Sequence, residues 1–269
     1  MLTLIIALAV AGGGFAAAYY AGDWGLGWSI SAGVASFGVF QGVFGFQIQK
    51  RVKRDMEAVQ GILLAGQKKL QQKMQRWQMR PPGSLQAAQK EIFEDTKVFV
   101  KEALAQTETL RKYRLWVPMM DRQIATAQTQ LSWMIKDFKT VDRLMPKVLC
   151  VDPTMSAIKM ARMYMLERPL ADIQKVYRKG AGRARYNGNV LLAAAMSWMQ
   201  VQRGDADGAF KTLTEALKKS DNETLKRNHE QLMNNRVAHF SNSGLGDQWY
   251  SLFLEEPKIR AQHQRSVYR

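Results

Sequence analysis

LTLIIALAVAGGGFAAAYY-AGDW-GLGWSISAGVASFGVFQGVFGF, residues Leu2 to Phe46, decides how this chain is organised. Leu2 to Tyr20 is a charge-free run of 19 residues and Gly25 to Phe46 a second of 22, parted by Ala21-Gly22-Asp23-Trp24. A helix rises about 1.5 Å per residue and the hydrocarbon layer of a bilayer is about 30 Å thick, so either run is long enough to cross. Tyr19, Tyr20, Trp24 and Trp28 gather near the turn, as amphipathic rings do at headgroup level. A secretory signal peptide, the competing reading, needs a basic stretch ahead of its apolar run, and no Lys or Arg precedes Lys50. The pattern predicts a two-helix transmembrane hairpin over residues 1–48. Small residues recur in both runs, at Gly12, Gly13, Gly14 and Ala16 to Ala18, then at Ser29/Gly33 and Gly38/Gly42. Such spacing lets helix backbones approach closely, either within the hairpin or between copies of the chain.

Asp23 is the single charged side chain before Lys50. Behind Phe46 stand all 39 basic residues against 22 acidic ones, a formal charge of +17. Lys50, Arg51, Lys53 and Arg54 follow the second run at once. The positive-inside rule puts that end in the cytoplasm, so both termini are expected there, at an inner or plasma membrane. These four side chains are the candidate contacts with anionic lipid. A nucleic-acid groove would interleave aromatic rings among the cations. Between Lys50 and Arg80 only Trp77 offers one, so nucleic acid is the weaker reading of this basic stretch.

Residues 49–150 carry heptad-like apolar seams and predict a basic helical stalk and antiparallel bundle. The first seam runs Val52, Met56, Val59, Leu63, Gly66, Leu70, Met74, Trp77, with Gly66 as its weak point. Arg80-Pro81-Pro82-Gly83 ends it, and Ser84 is placed to cap the next helix. A second seam reads Ile92, Thr96, Phe99, Ala103, Gln106, Leu110, Tyr113. After Trp116-Val117-Pro118 the third, Met120, Ile124, Ala127, Leu131, Met134, Phe138, Val141, Met145, alternates strictly by four and three and predicts one helix. The seams suit an intramolecular bundle, and equally a coiled coil between chains.

From Asp152 the pattern changes to short helices: Thr154 to Glu167, Leu170 to Lys179, Asn189 to Arg203, Asp207 to Lys219 and Glu223 to Phe240. Arg168-Pro169, Gly180-Ala181-Gly182 and Gly204-Asp205 part the first four. The stretch AAAMSWMQVQRGDADGAFKTLTEALKKSDN, Ala193 to Asn222, resembles the tetratricopeptide-repeat family. Gly204 matches that family's turn between paired helices, Ala209 its small crossing residue, Leu213 a large apolar position and Ala216 the next small one. Ile173, Tyr177 and Gly180 echo the last three about one repeat earlier. The sequence departs where the family's Trp, Leu, Gly and Tyr would fall, at Ala193, Met196, Ser197 and Gln200. The resemblance spans residues 154–240 and implies, within residues 151–256, a TPR-like α-solenoid with a groove for a partner protein. Arg185, Asn187 and Asn189 are the side chains expected at that groove, where an acidic peptide is the implied ligand. The methionines at 155, 160, 163, 165, 196 and 199 suit core packing. Trp249 to Leu254 forms an apolar patch, either a final cap or a docking segment, and residues 257–269 are a basic tail.

No spaced metal motif, phosphate loop or nucleophile elbow occurs, and Cys150 stands alone. The sequence therefore predicts neither an enzyme nor a cofactor site. The expected class is all-α: a membrane-anchored cytoplasmic scaffold that binds protein partners through helical repeats. The alternative is a self-associating structural component of a membrane complex, an oligomer or a pore assembly, with anionic lipid or nucleic-acid binding by the basic stalk as a third reading.

Overall fold

The computed structural model describes residues 2–22, 25–79, 83–184 and 188–257. Among these the chain is entirely helical, and it divides into two compact units, Met1–Val148 and Leu149–Arg269.

In the first unit α1 (Leu2–Ala16) continues as one π-helical turn, Ala17–Ala21. It runs back along the start of α2 (Leu26–Met79), a single helix of 54 residues. Two helices, Leu2–Ala21 and Leu26–Trp77, are thus long and apolar enough to cross a membrane. Glycine makes their close approach possible at two points. A Cβ on Gly33 would lie 3.0 Å from the Ala11 carbonyl oxygen and 3.3 Å from Phe15 Cβ, and one on Gly14 would overlap the Ser36 side chain. Gly12, Gly13, Gly38 and Gly42 meet nothing within 4 Å. Ser29 and Ser31 return their hydroxyls to the carbonyls of Gly25 and Gly27 at 3.3 and 3.0 Å, which hides both polar groups within the helix.

Beyond Lys50 the same α2 becomes one wall of a bundle with α3 (Leu85–Glu108) and α4 (Met120–Met134). Ser84 caps α3 by accepting from Ala87 N at 3.1 Å. The seams meet inside the unit: Val59, Ile62, Leu63 and Leu70 of α2 pack on Phe99, Val100 and Ala103 of α3 and Leu131 of α4. Nearer the apolar half, Ile48, Val52 and Met56 close on Leu110, Tyr113, Met120 and Ile124. Gly66, expected as a weak point, is a contact surface instead, for the Phe99 ring lies so close to it that a Cβ there would overlap the ring.

The third seam corrects one expectation. It is not one helix, because α4 stops at Met134 and α5 (Phe138–Leu144) starts anew. Lys136 takes a left-handed conformation (φ 57°), and Asp137 caps α5 by accepting from Thr140 N at 3.2 Å. The hydrophobic rhythm passes through this kink unbroken, so periodicity alone gives no sign of it.

The second unit contains α6 (Pro153–Met165), α7 (Leu170–Arg183), α8 (Val190–Gln202), α9 (Ala206–Leu217), α10 (Glu223–Met233) and a last turn, α11 (Asp247–Tyr250). Its centre is α8, whose residues Leu192 to Met199 are all buried. Gly180 and Gly182 do not form a turn, since α7 continues to Arg183; a Cβ on Gly180 would sit 3.0 Å from Ser156 Cβ and 3.1 Å from Leu192 Cδ1. Gly180 is there for packing. The fifth predicted helix ends early, at Met233, where Asn235 turns left-handed (φ 55°).

Two polar clamps tie the C-terminal segment to this core. Asn242 Nδ2 donates to the Ala194 carbonyl at 2.9 Å, while its own Oδ1 accepts from Asn228 Nδ2 at 2.8 Å. Glu255 accepts from the indole nitrogens of Trp198 and Trp249 at 2.8 and 2.7 Å. Trp249 and Leu252 are fully buried, so the apolar patch is a cap within the unit and not a free docking segment.

Candidate functional site

Gly204, Ala209, Leu213 and Ala216 organise the centre of the second unit. Gly204 turns the chain from α8 to α9 at φ 79°, a conformation that costs glycine little and other residues more. Asp205 then caps α9, its carboxylate accepting from Gly208 N at 2.8 Å. A Cβ on residue 208 would press on that carboxylate as it now lies, so the glycine lets Asp205 sit close over the helix end. Ala209, Leu213 and Ala216 present one buried face of α9 to Ala193 and Ala194 of α8 and to Leu225 and Leu232 of α10.

The adjoining face of α9 borders a groove of about 620 Å³. Leu170, Gln174, Tyr177 and Arg178 of α7 form one wall, Lys211, Glu215 and Lys219 of α9 the other, and Asn189 and Gln200 the floor. Gln200 is fixed because its Oε1 accepts from the Thr212 hydroxyl at 2.8 Å. Tyr177 is partly buried; desolvation, reinforced by the Glu215 charge, raises its phenol above the ordinary value. It therefore stays neutral, a donor and an apolar wall at once. Arg178 on the α7 side and Lys211 and Lys219 on the α9 side outnumber Asp205 and Glu215 around the opening, leaving a modest cationic excess.

Asn189 is the notable member. It precedes α8 and is 3% exposed, yet its side chain makes no capping bond, and its buried Oδ1 has no hydrogen-bond partner among the described residues. A buried carbonyl oxygen without a donor costs about 1–3 kcal/mol, and native proteins rarely leave one unless something else supplies the N–H.

Of the three side chains expected at the groove, Asn189 lines it, while Arg185 and Asn187 lie outside the described residues. Lys50, Arg51, Lys53 and Arg54 are exposed on α2, with Lys53 loosely paired to Glu57 at 3.8 Å. Residue-type reasoning passed over Gln174, Arg178, Lys211 and Lys219. Their only signal was position, on the faces of α7 and α9 turned away from the buried Ile173 and Leu213. Among the described residues no group of three His, Cys, Asp or Glu side chains converges.

No protein-family model, no curated protein and no solved structure matches this chain.

Proposed function

We propose that this protein is a membrane-anchored adaptor. In this reading α1 and the charge-free half of α2 are a two-span transmembrane hairpin in the inner or plasma membrane, with both chain ends in the cytoplasm. The bundle of α2 to α5 extends the anchor. The second unit is a TPR-like stack that binds a partner protein in the groove between α7 and α9.

The observation that carries it is the Asn189 Oδ1 buried at the floor of that groove without a donor. A rotation of the Asn189 side chain turns this occluded oxygen toward the groove, where a peptide backbone N–H supplies the missing bond. Gln174 and Gln200 offer further polar groups to an extended chain, and Arg178, Lys211 and Lys219 favour acidic side chains upon it. A photo-crosslinking amino acid at Gln174 or Lys211 of the full-length protein in its own cell tests the reading. One discrete protein adduct, lost on Asn189→Ala, is the expected result. Adducts obtained only from positions on α2 or α3, with none from the groove, would overturn it.

A second reading, self-association within the membrane, draws on Gly38 and Gly42. Four residues apart and with nothing within 4 Å, they are not consumed by the contact between α1 and α2. Mass measurement in detergent decides: an oligomer that Gly42→Leu dissociates favours this reading, and a strict monomer removes it.

A further inference from the structure

We propose that the segment joining α3 to α4, Leu115 to Met119, is a third membrane contact: it lies in the headgroup layer of the bilayer that α1 and α2 cross. The inference rests on the transmembrane reading above and adds a site to it.

Its depth is set by contacts within the first unit. The first amides of a helix have no acceptor in their own helix, and near lipid they need one. For α1 the loop provides it: Leu2 N donates to the Leu115 carbonyl at 2.8 Å, and the Thr3 hydroxyl donates to the Trp116 carbonyl at 3.1 Å. On the other side Trp116 lies against Phe44 of α2, ring centres 5.5 Å apart, and Val117 joins the same cluster with Ile48 and Val52. Leu2 begins one span; Phe44 to Ile48 are the last turn before the first cation, Lys50, on the other. A loop bonded to both ends sits level with both, where hydrocarbon gives way to headgroups.

What the loop exposes suits that depth. Leu115-Trp116-Val117-Pro118-Met119 contains no charge, and Leu115 and Met119 are 62% and 55% exposed. Met119 is held left-handed at φ 61°, an uncommon state for a residue other than glycine. Two large apolar side chains standing open in a short interhelical loop cost solvation in water and gain it among acyl chains. The rim is cationic. Arg111 and Arg114 flank the loop with side chains about 60% exposed, and Lys50, Arg51 and Arg54 stand exposed on the adjoining turns of α2. Glu108 and Asp121 pair with the two loop arginines at 2.6 and 3.5 Å, which holds the guanidinium groups at the rim. Apolar tips, an indole at the boundary and surrounding cations are the chemistry of an anionic phospholipid surface.

Full-length protein with Cys150→Ser and one new cysteine, Leu115→Cys, Met119→Cys or Gln86→Cys, carries an environment-sensitive fluorophore into phosphatidylcholine vesicles made with or without phosphatidylglycerol. Gln86 is exposed at the opposite end of α3 and serves as the aqueous reference. Labels at 115 and 119 are expected to emit to the blue of the label at 86. Lipids spin-labelled near the headgroup should quench them several-fold more strongly, and phosphatidylglycerol should increase that difference. Protein that floats with the vesicles while all three labels report water would overturn the loop contact and leave the anchor standing. Protein that fails to float removes the anchor and the proposal together. Quenching unchanged by phosphatidylglycerol overturns the part given to the arginines.

Discussion

The ring of Phe99 lies directly on the backbone of Gly66, so closely that no Cβ fits between α2 and α3 at that level. Glycine inside a helix ordinarily costs about 1 kcal/mol relative to alanine. Here the close packing offsets that cost. Gly66→Ala is therefore expected to destabilise the bundle by about 1–3 kcal/mol, the usual range for overpacking a core. Gly61 supplies the internal comparison, since it is on the same helix with nothing within 4 Å. Gly61→Ala should stabilise by up to about 1 kcal/mol. Hydrogen exchange of α3 amides in detergent reads both changes, and two shifts of the same sign would contradict the packing argument.

Acid sensitivity of the first unit centres on Asp55. Its buried carboxylate accepts from Lys112 Nζ at 2.8 Å and the Tyr113 hydroxyl at 3.1 Å. The Lys112 bond holds its pKa below the ordinary carboxylate value, against the opposing effect of burial, with Tyr113 adding to the depression. A depressed folded-state pKa means that this stabilisation is complete above the unfolded value of about 4 and is lost as pH falls through the lower folded value. The unit should loosen in that acid window, where α3 amides begin to exchange faster. Asp55→Asn is expected to be less stable at neutral pH and to show a flatter acid limb. An acid limb identical to that of the parent protein would relieve Asp55 of this role.

Much of this arrangement was legible in the residues, and the reasons for the misses are physical. A charge-free run followed by Lys50 to Arg54 marks where α2 changes surroundings, because burial and solvation act residue by residue along one helix. The seams at Val59, Phe99 and Leu131 were equally plain, since helical periodicity records which face is buried. The break at Lys136-Asp137 was hidden, as a left-handed residue and a cap leave the apolar spacing intact. Gly180 was misread as a turn because glycine serves both turns and close approaches, and only the neighbouring Ser156 and Leu192 decide between them. Contacts between residues remote in sequence leave no local pattern at all. Thr3 with Trp116 and Ala194 with Asn242 are of this kind, and so is the groove, which exists only once α7 and α9 lie side by side over α8.

Two asparagines at helix starts should respond differently to alanine. Asn222 caps α10 by accepting from Thr224 N and Leu225 N at 3.0 and 3.2 Å, so Asn222→Ala is expected to cost about 1 kcal/mol of stability. Asn189 makes no such bond. Asn189→Ala should leave stability nearly unchanged and weaken partner capture by about 1–2 kcal/mol, roughly five- to thirty-fold in Kd. Thermal unfolding and crosslink yield, measured on both variants, separate the two roles. Equal destabilisation by both would make Asn189 an ordinary structural residue.

Glu255 carries the final prediction because it satisfies two buried indoles at once. Trp198 and Trp249 stand edge to face with ring centres 5.7 Å apart, and each donates its Nε1 hydrogen to a different oxygen of the same carboxylate. Hydrogen bonds to a charged acceptor contribute about 1.5–3 kcal/mol, and losing the acceptor leaves both donors in an apolar setting. Glu255→Ala should therefore cost the second unit about 2–5 kcal/mol, with each unmet donor costing about 1–3 kcal/mol. Glu255→Gln retains one carbonyl acceptor and should cost visibly less. The readout is direct, since releasing two edge-to-face, hydrogen-bonded tryptophans into water shifts their fluorescence to the red. If Glu255→Ala and Glu255→Gln unfold at the parent temperature with unchanged emission, the C-terminal segment is held by the Asn242 clamp and by Trp249 and Leu252 packing, without help from Glu255.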